Sequence, residues 1–232
     1  MAMGLLAAGL GVLAVLSLGI GRISIPPGTV SAILASRIAE IEPFWPASQE
    51  QIVIGVRLPR IIAAMLVGAA LAAAGAAYPT LFRNPIVSPD VLGVSAGAGF
   101  GAALAVMMNL GAVAIQMGAF AMGLAAVGLC FAIGQAINRH SLIVLVLVGV
   151  VIAAFFQAMI SVLKIVADPI NVLPVITFWL LGGLSGRGWP HVLMIAPQAV
   201  LGLAACLVAV RPLNLLLLGE EMAASMGVNV RL

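Results

Sequence analysis

The sequence predicts an all-α fold, a polytopic bundle of transmembrane helices, and three observations carry that prediction. Of 232 residues, 64% are hydrophobic and 7% are charged, whereas a soluble domain carries about 25% charged residues. So few charges cannot cover a water-facing surface, so lipid is the solvent for most of the chain. Six apolar stretches approach the ~20 residues that a helix needs to cross a ~30 Å hydrocarbon core. The 26 glycines and 11 methionines suit helices that approach closely through small residues, as membrane helices do.

In chain order, span 1 covers Met3 to Ile20. A signal peptide is the alternative there, but the segment lacks a positive leading stretch and a clear Ala-x-Ala site. A polar connection over 22–57 follows, with Pro26, Pro27, Pro43 and Pro46, and with Trp45 as an interface aromatic. Span 2 covers Ile61 to Leu81. The short turn RNPIVSPD comes next, where Arg83, Asn84 and Pro85 read as a structural cap and Asp90 as the N-cap of span 3. Span 3 covers Gly93 to Met108 and span 4 Gly111 to Ile137. A tight hairpin at Asn138–Arg139–His140 leads to span 5, Leu142 to Val166. Val172 to Leu184 is too short to cross and is broken by Pro174 and Gly182–Gly183, so it reads as a short helix outside or half-inserted. Span 6 covers Val192 to Val210, and 211–232 forms an amphipathic tail. The whole chain reads as one domain, 1–232.

Charge excludes more than it assigns. Ten basic and seven acidic residues give a net charge of +3, too sparse for a nucleic-acid surface. No HExxH, Cys-x-x-Cys or Walker-type glycine loop occurs, so the sequence nominates no catalytic residue, no metal site and no ATPase chemistry of its own. Cys130 and Cys206 each stand alone in an apolar run and read as small core residues rather than a disulfide or metal pair. With six spans, Arg83, Arg139, Arg211 and Arg231 fall on one side and Arg22, Arg37, Arg57, Arg60 and Arg187 on the other, so the positive-inside rule does not choose an orientation.

Within the spans, Gly93, Gly97 and Gly101 recur every four residues, as do Gly68, Ala72 and Ala76. Residues four apart share a helix face, so each series makes a smooth groove for a neighbouring helix. Gln157, Ser161 and Lys164 form one polar face of span 5. That face either lines a pathway, or Lys164 snorkels to the headgroups while Gln157 bonds a neighbouring helix. No Asp or Glu lies within a predicted span, which disfavours an ion-coupled carrier.

Three motifs occur in order: Arg57–Leu58–Pro59–Arg60, then Arg83–Asn84–Pro85, then Pro89–Asp90–Val91–Leu92–Gly93–Val94–Ser95–Ala96–Gly97–Ala98. With Gly21–Arg22–Ile23–Ser24–Ile25 before them, and Leu218–Gly219–Glu220, Ala223 and Met226–Gly227–Val228–Asn229 after, they resemble FecCD-type permease subunits of ABC importers for iron-siderophores, haem and cobalamin. The resemblance covers essentially the whole chain. It implies about six spans of the family's roughly ten, each of about 20 residues, as if the C-terminal part were missing. It implies a multi-pass protein of the inner (cytoplasmic) membrane with a cytoplasmic N-terminus, the connection 22–57 facing outward and the tail inward.

The resemblance also implies partners and site residues. The permease pairs as a homodimer or with a second permease. It works with two ATPase subunits, which hold ATP and Mg, and with an extracytoplasmic substrate-binding protein; this chain itself binds no cofactor. Span 5 would be a pathway-lining helix. Arg57 and Arg60 would face the binding protein, whose carboxylates they can grip bidentately, lipid-phosphate anchoring being the alternative. Gly219, Glu220, Glu221, Ala223, Ser225 and Gly227 resemble the element that couples importer permeases to their ATPases. Small residues there let a short helix of about 218–227 seat in a partner's groove, and Gly227 would end it; an interfacial amphipathic helix without a partner is the alternative. The expected function is ATP-driven import of an iron chelate or cobalamin, against a truncated, non-transporting fragment or an ion-coupled secondary carrier.

Overall fold

The structure, a computed structural model, describes residues 2–84, 87–138, 141–186 and 188–227; Pro85, Arg139, His140, Arg187, Val228, Asn229 and Arg231, singled out in the sequence, lie outside them, as do the side chains of Glu220 and Glu221. The described residues form only helices and connections: α1 (Ala2–Gly19), α2 (Pro27–Ala35), α3 (Ala47–Glu50), a π-helical segment (Gln51–Arg57), α4 (Leu58–Phe82), α5 (Val94–Met107), α6 (Ala112–Ile137), α7 (Leu142–Val166), α8 (Leu173–Leu181), α9 (Trp189–Leu216) and α10 (Glu220–Ser225).

Among the described residues, four helical stretches are long and apolar enough to cross a membrane: Ala47–Phe82, α6, α7 and α9. The apolar helices Gly4–Gly19 and Val94–Met107 are shorter. All six predicted spans are therefore helices, with bounds that agree to within a few residues in four of them. Two predicted boundaries are corrected. Span 2 begins not at Ile61 but at Ala47, since α3, the π segment and α4 run on without a break for 36 residues. At 1.5 Å per residue that is about 54 Å, far beyond a ~30 Å core. The connection 22–57 is accordingly not a loop: α2, α3 and the π segment that open this long helix occupy much of it. Span 6 runs past Val210 to Leu216, so residues 211–216 belong to α9 and not to the tail. Both sequence boundaries were placed where hydropathy falls, but helices continue for as long as backbone bonds are satisfied.

The chain divides into two compact units, residues 1–69 with 184–200 and residues 70–183 with 201–232. In the first, Leu18, Ile25, Val30, Ile33, Trp45 and Val53 make one buried cluster. Pro26 precedes α2 and Pro27 opens it, where a missing N–H costs nothing.

The second unit is built on glycine. α5, α6 and α7 pack against one another around Leu92, Ala96, Ala126, Cys130, Val148, Ile152 and Phe156. A Cβ on Gly97 would lie 2.6 Å from both the Met122 carbonyl oxygen and the Ala126 Cβ. One on Gly101 would strike the Gly118 carbonyl, and one on Gly149 the Val91 carbonyl. Backbones therefore touch along α5–α6, and the chain entering α5 lies against α7. Gly93 takes a positive φ of 81° at the N-cap of α5, a conformation glycine accepts freely. Gly93, not Asp90, is thus the cap residue; the Asp90 carboxylate instead accepts from the Ser95 hydroxyl. Ser141 caps α7 by accepting from Val144 N–H. Helix α8 is short, as expected, and folds inward: Ile176 is fully buried with Ala103, Val106 and Ala167.

Candidate functional site

Arg57 and Arg60 sit about a third of the way along the long helix rather than at its end, because that helix starts at Ala47. Arg57 is part-buried and its guanidinium is committed within the chain. Nη1 donates to the Leu18 carbonyl at 2.6 Å and Nη2 donates to the Ile23 carbonyl. Leu18 lies in the last turn of α1, whose carbonyls have no intrahelical donor. Gly21 leaves room for the arrangement, since a Cβ there would lie 2.7 Å from Nη2. Arg60 is half-buried and its Nε has no hydrogen-bond partner. The two arginines of the RLPR motif therefore differ: one ties the chain after α1, the other keeps a donor unused.

A polar cluster lies just N-terminal to the π segment. Glu50 accepts from Arg37 Nη2 at 2.5 Å and from Trp45 Nε1 at 3.2 Å. Phe44 packs edge-on to Trp45 with ring centroids 4.9 Å apart. Across 135 residues of sequence, Trp189 donates from Nε1 to the Ile54 carbonyl at 3.0 Å. None of these partners was singled out from the sequence as a site residue. The available signal was Pro59, a residue without an N–H inside a helical run.

Gln157 and Ser161 are exposed on α7, and Lys164 is half-buried in its last turn. They adjoin the buried face formed by Ile152, Phe156 and Ile160 and share the exposed side with large apolar residues such as Phe155 and Val162. The Ser161 hydroxyl donates to the Gln157 carbonyl at 2.9 Å. None of the three lines the groove of the second unit that lies between α4 and α9. That groove, about 240 Å³, has Ala73, Ala76, Ala77, Leu203, Cys206 and Leu207 as walls and Thr80 and Asn214 as polar edges.

The small-residue series also part ways. Gly97 and Gly101 are packed backbone to backbone, whereas nothing lies within 4 Å of a Cβ on Gly68, and Ala72 is exposed. Nothing thus lies against Gly68, whereas Ala76, the third member of its series, lines the groove between α4 and α9. At the tail, α10 spans six residues between Gly219 (φ 104°) and Gly227 (φ 83°). Ala223 is fully buried within this chain, whereas Ala224 and Ser225 are exposed. Cys130 and Cys206 are free thiols, Cys130 buried against the Leu145 carbonyl. Among the described residues no cluster of His, Cys, Asp or Glu could hold a metal ion. Asp168, just past α7, accepts from Ile170 N–H and from the Asn171 side-chain amide, and these bonds hold its carboxyl below the usual range.

Long apolar helices, glycine-mediated packing and the near absence of charge define a multi-pass cell-membrane protein with the helical fold of an ABC-transporter permease. The FecCD transport family model matches residues 9–232, and the chain belongs to that family. It is 35% identical over 219 residues to the molybdate import system permease MolB of Haemophilus influenzae, covering 94% of this chain and 64% of that one. It is 37% identical to the cobalamin import permease BtuC of Halobacterium salinarum (78% and 49% covered). It is 35% identical to the Fe(3+) dicitrate permease FecD of Escherichia coli (80% and 58%). A solved transporter described as metal-chelate type, in an inward-facing conformation, superposes with a TM-score of 0.77 at 32% identity, covering 95% of this chain and 65% of its own. The chain thus spans about half to two-thirds of the length of these relatives.

Proposed function

We propose that this chain is membrane-spanning permease material of an ATP-binding-cassette importer, translocating an iron chelate (siderophore or haem) or cobalamin across the inner membrane. The family match over residues 9–232 carries the reading. Relatives named for molybdate, cobalamin and Fe(3+) dicitrate widen the candidate substrates to bulky or oxyanionic metal compounds. ATP hydrolysis belongs to two separate ATPase subunits, and a second permease completes the pathway.

In this reading the N-terminus is cytoplasmic. The extracytoplasmic binding protein docks near the Arg37–Glu50–Trp45 cluster and Arg60, while Arg57 shapes the region without meeting the partner. The ATPase engages the α10 surface through Ala224 and Ser225, with Gly219 and Gly227 setting the helix ends and Glu220 and Glu221 supplying charge at its first turn. ATP-driven closure of the ATPases moves α10, and packed helices follow as rigid bodies, the usual route to alternating access. The Gln157–Ser161–Lys164 face, exposed at Gln157 and Ser161, supports a pathway role, since polar groups at membrane depth face water or protein.

Uptake of radiolabelled ferric siderophore, haem, cobalamin and molybdate into proteoliposomes, with the ATPase and binding protein encoded beside this chain, tests the proposal. Uptake that requires ATP hydrolysis is the expected result. Uptake driven by an ion gradient without the ATPase would refute it.

A further inference from the structure

The π-helical segment Gln51–Arg57 is flanked without a break by α3 and α4. In a π turn each N–H reaches the carbonyl five residues back, a rare arrangement that occurs mostly as short insertions in α-helices. The run ends with Leu58 N–H on the Val53 carbonyl. The next donor in that pattern would come from residue 59, which is proline and has no N–H. The Ile54 carbonyl is therefore left without a helical partner in the π register. In the α register the same proline would instead orphan the Gly55 carbonyl, four residues back. Proline thus leaves a different carbonyl short in each register, Ile54 in the π register and Gly55 in the α register, and the outcome turns on which one is supplied from elsewhere. Trp189 supplies Ile54, donating from Nε1 at 3.0 Å. Arg57 holds the far end of the π run, with its guanidinium on the Leu18 and Ile23 carbonyls.

We infer that Trp189, Pro59 and Arg57 form a register lock, in which the indole selects the π over the α register of residues 51–57. The consequence falls on α3. Moving the register by one residue turns everything N-terminal to it by about 100° relative to α4, the angle per residue of a helix. Glu50 would turn with it, and Glu50 is the acceptor that holds Arg37 and Trp45. One indole hydrogen bond thereby sets where the polar cluster of residues 37–50 stands, without unfolding either flanking helix. Trp189 is a positioning residue in this scheme. The inference rests on backbone chemistry within one unit and is independent of the transport reading.

Hydrogen exchange, read by mass spectrometry on the full chain in lipid nanodiscs, tests it. Trp189→Phe keeps the ring and deletes the donor; exchange across residues 51–58 should accelerate about tenfold, while α6 and α7 stay unchanged. Pro59→Ala added to Trp189→Phe restores a backbone N–H at residue 59. Protection should then return to within about twofold of the parent. An unchanged rate in Trp189→Phe would overturn the lock, as would acceleration that Pro59→Ala fails to reverse or that spreads evenly through the chain. If the single variant does not fold, the double variant decides: the lock requires it to fold and to be protected.

Discussion

Replacing Gly97 by alanine adds one methyl group to a close contact between α5 and α6 whose two nearest neighbours are both fixed. That methyl would lie 2.6 Å from the Met122 carbonyl oxygen and 2.6 Å from the Ala126 Cβ. Neither can swing away, because one is backbone and the other is a side chain of one carbon. The helices must separate, and Gly101 against Gly118 separates with them. Overpacking of this kind costs about 1–3 kcal/mol, and a rigid backbone neighbour places it at the upper end. Glycine to alanine inside a helix returns about 1 kcal/mol of intrinsic propensity. The net loss is about 2 kcal/mol, and at about 2–4 °C per kcal/mol for a chain of this size the midpoint falls by about 4–8 °C. Gly68→Ala is the matched control, since nothing lies within 4 Å of its added methyl. It keeps the propensity gain alone, so its midpoint stays level or rises. Thermal unfolding of the 232-residue chain in detergent, followed by circular dichroism, reads both. A Gly97→Ala midpoint at or above the parent would refute the packing argument, and so would equal falls in the two variants.

Arg57→Met should loosen the chain between α1 and α2, because two carbonyls lose donors worth about 1–3 kcal/mol each; limited proteolysis should then cut at residues 19–25, while Arg60→Met leaves that stretch resistant. Asn171→Ala removes one of the bonds that hold the Asp168 carboxyl low, so its titration, followed by NMR, should move up toward the ordinary carboxylate range. The sign follows from the depressed value: the Asp168 turn contributes stability above the ordinary carboxylate range and loses it as pH falls through the folded-state value. Ser225→Trp places bulk on the exposed side of α10 and should reduce binding of the ATPase subunit in a pull-down, whereas an equal affinity would remove that face from the interface. Arg60→Glu should weaken association with the binding protein at low salt more than at high salt, the mark of a screened charge contact.

Several features were legible in the sequence because they depend on local pattern. Apolar length located the helices α5, α6 and α7 nearly to the residue, since a lipid-facing helix must keep its backbone bonds internal. Gly93, Gly97 and Gly101 announced a close contact by their spacing, and Gly227 an end to the last helix. Sequence spacing, however, names a groove and not its occupant: Gly97 meets α6, while nothing lies within 4 Å of a Cβ on Gly68, the start of an equally regular series. The role of Arg57 was hidden for the same reason. Its motif suggested an outward-facing charge, but its fate rests on the Leu18 carbonyl, 39 residues away.

By itself the amino-acid sequence determined that lipid surrounds this chain, which segments are helical and to which family it belongs, because hydropathy, helical period and motif are properties of neighbouring residues. Only the tertiary structure decided that α3 and α4 are one long helix with a π insertion, that Trp189 completes the bond Pro59 cannot make, and that Ala223 is buried within the chain. Each of those depends on which backbone groups meet across long stretches of sequence, and hydrogen-bond satisfaction at such distances leaves no periodic trace to read.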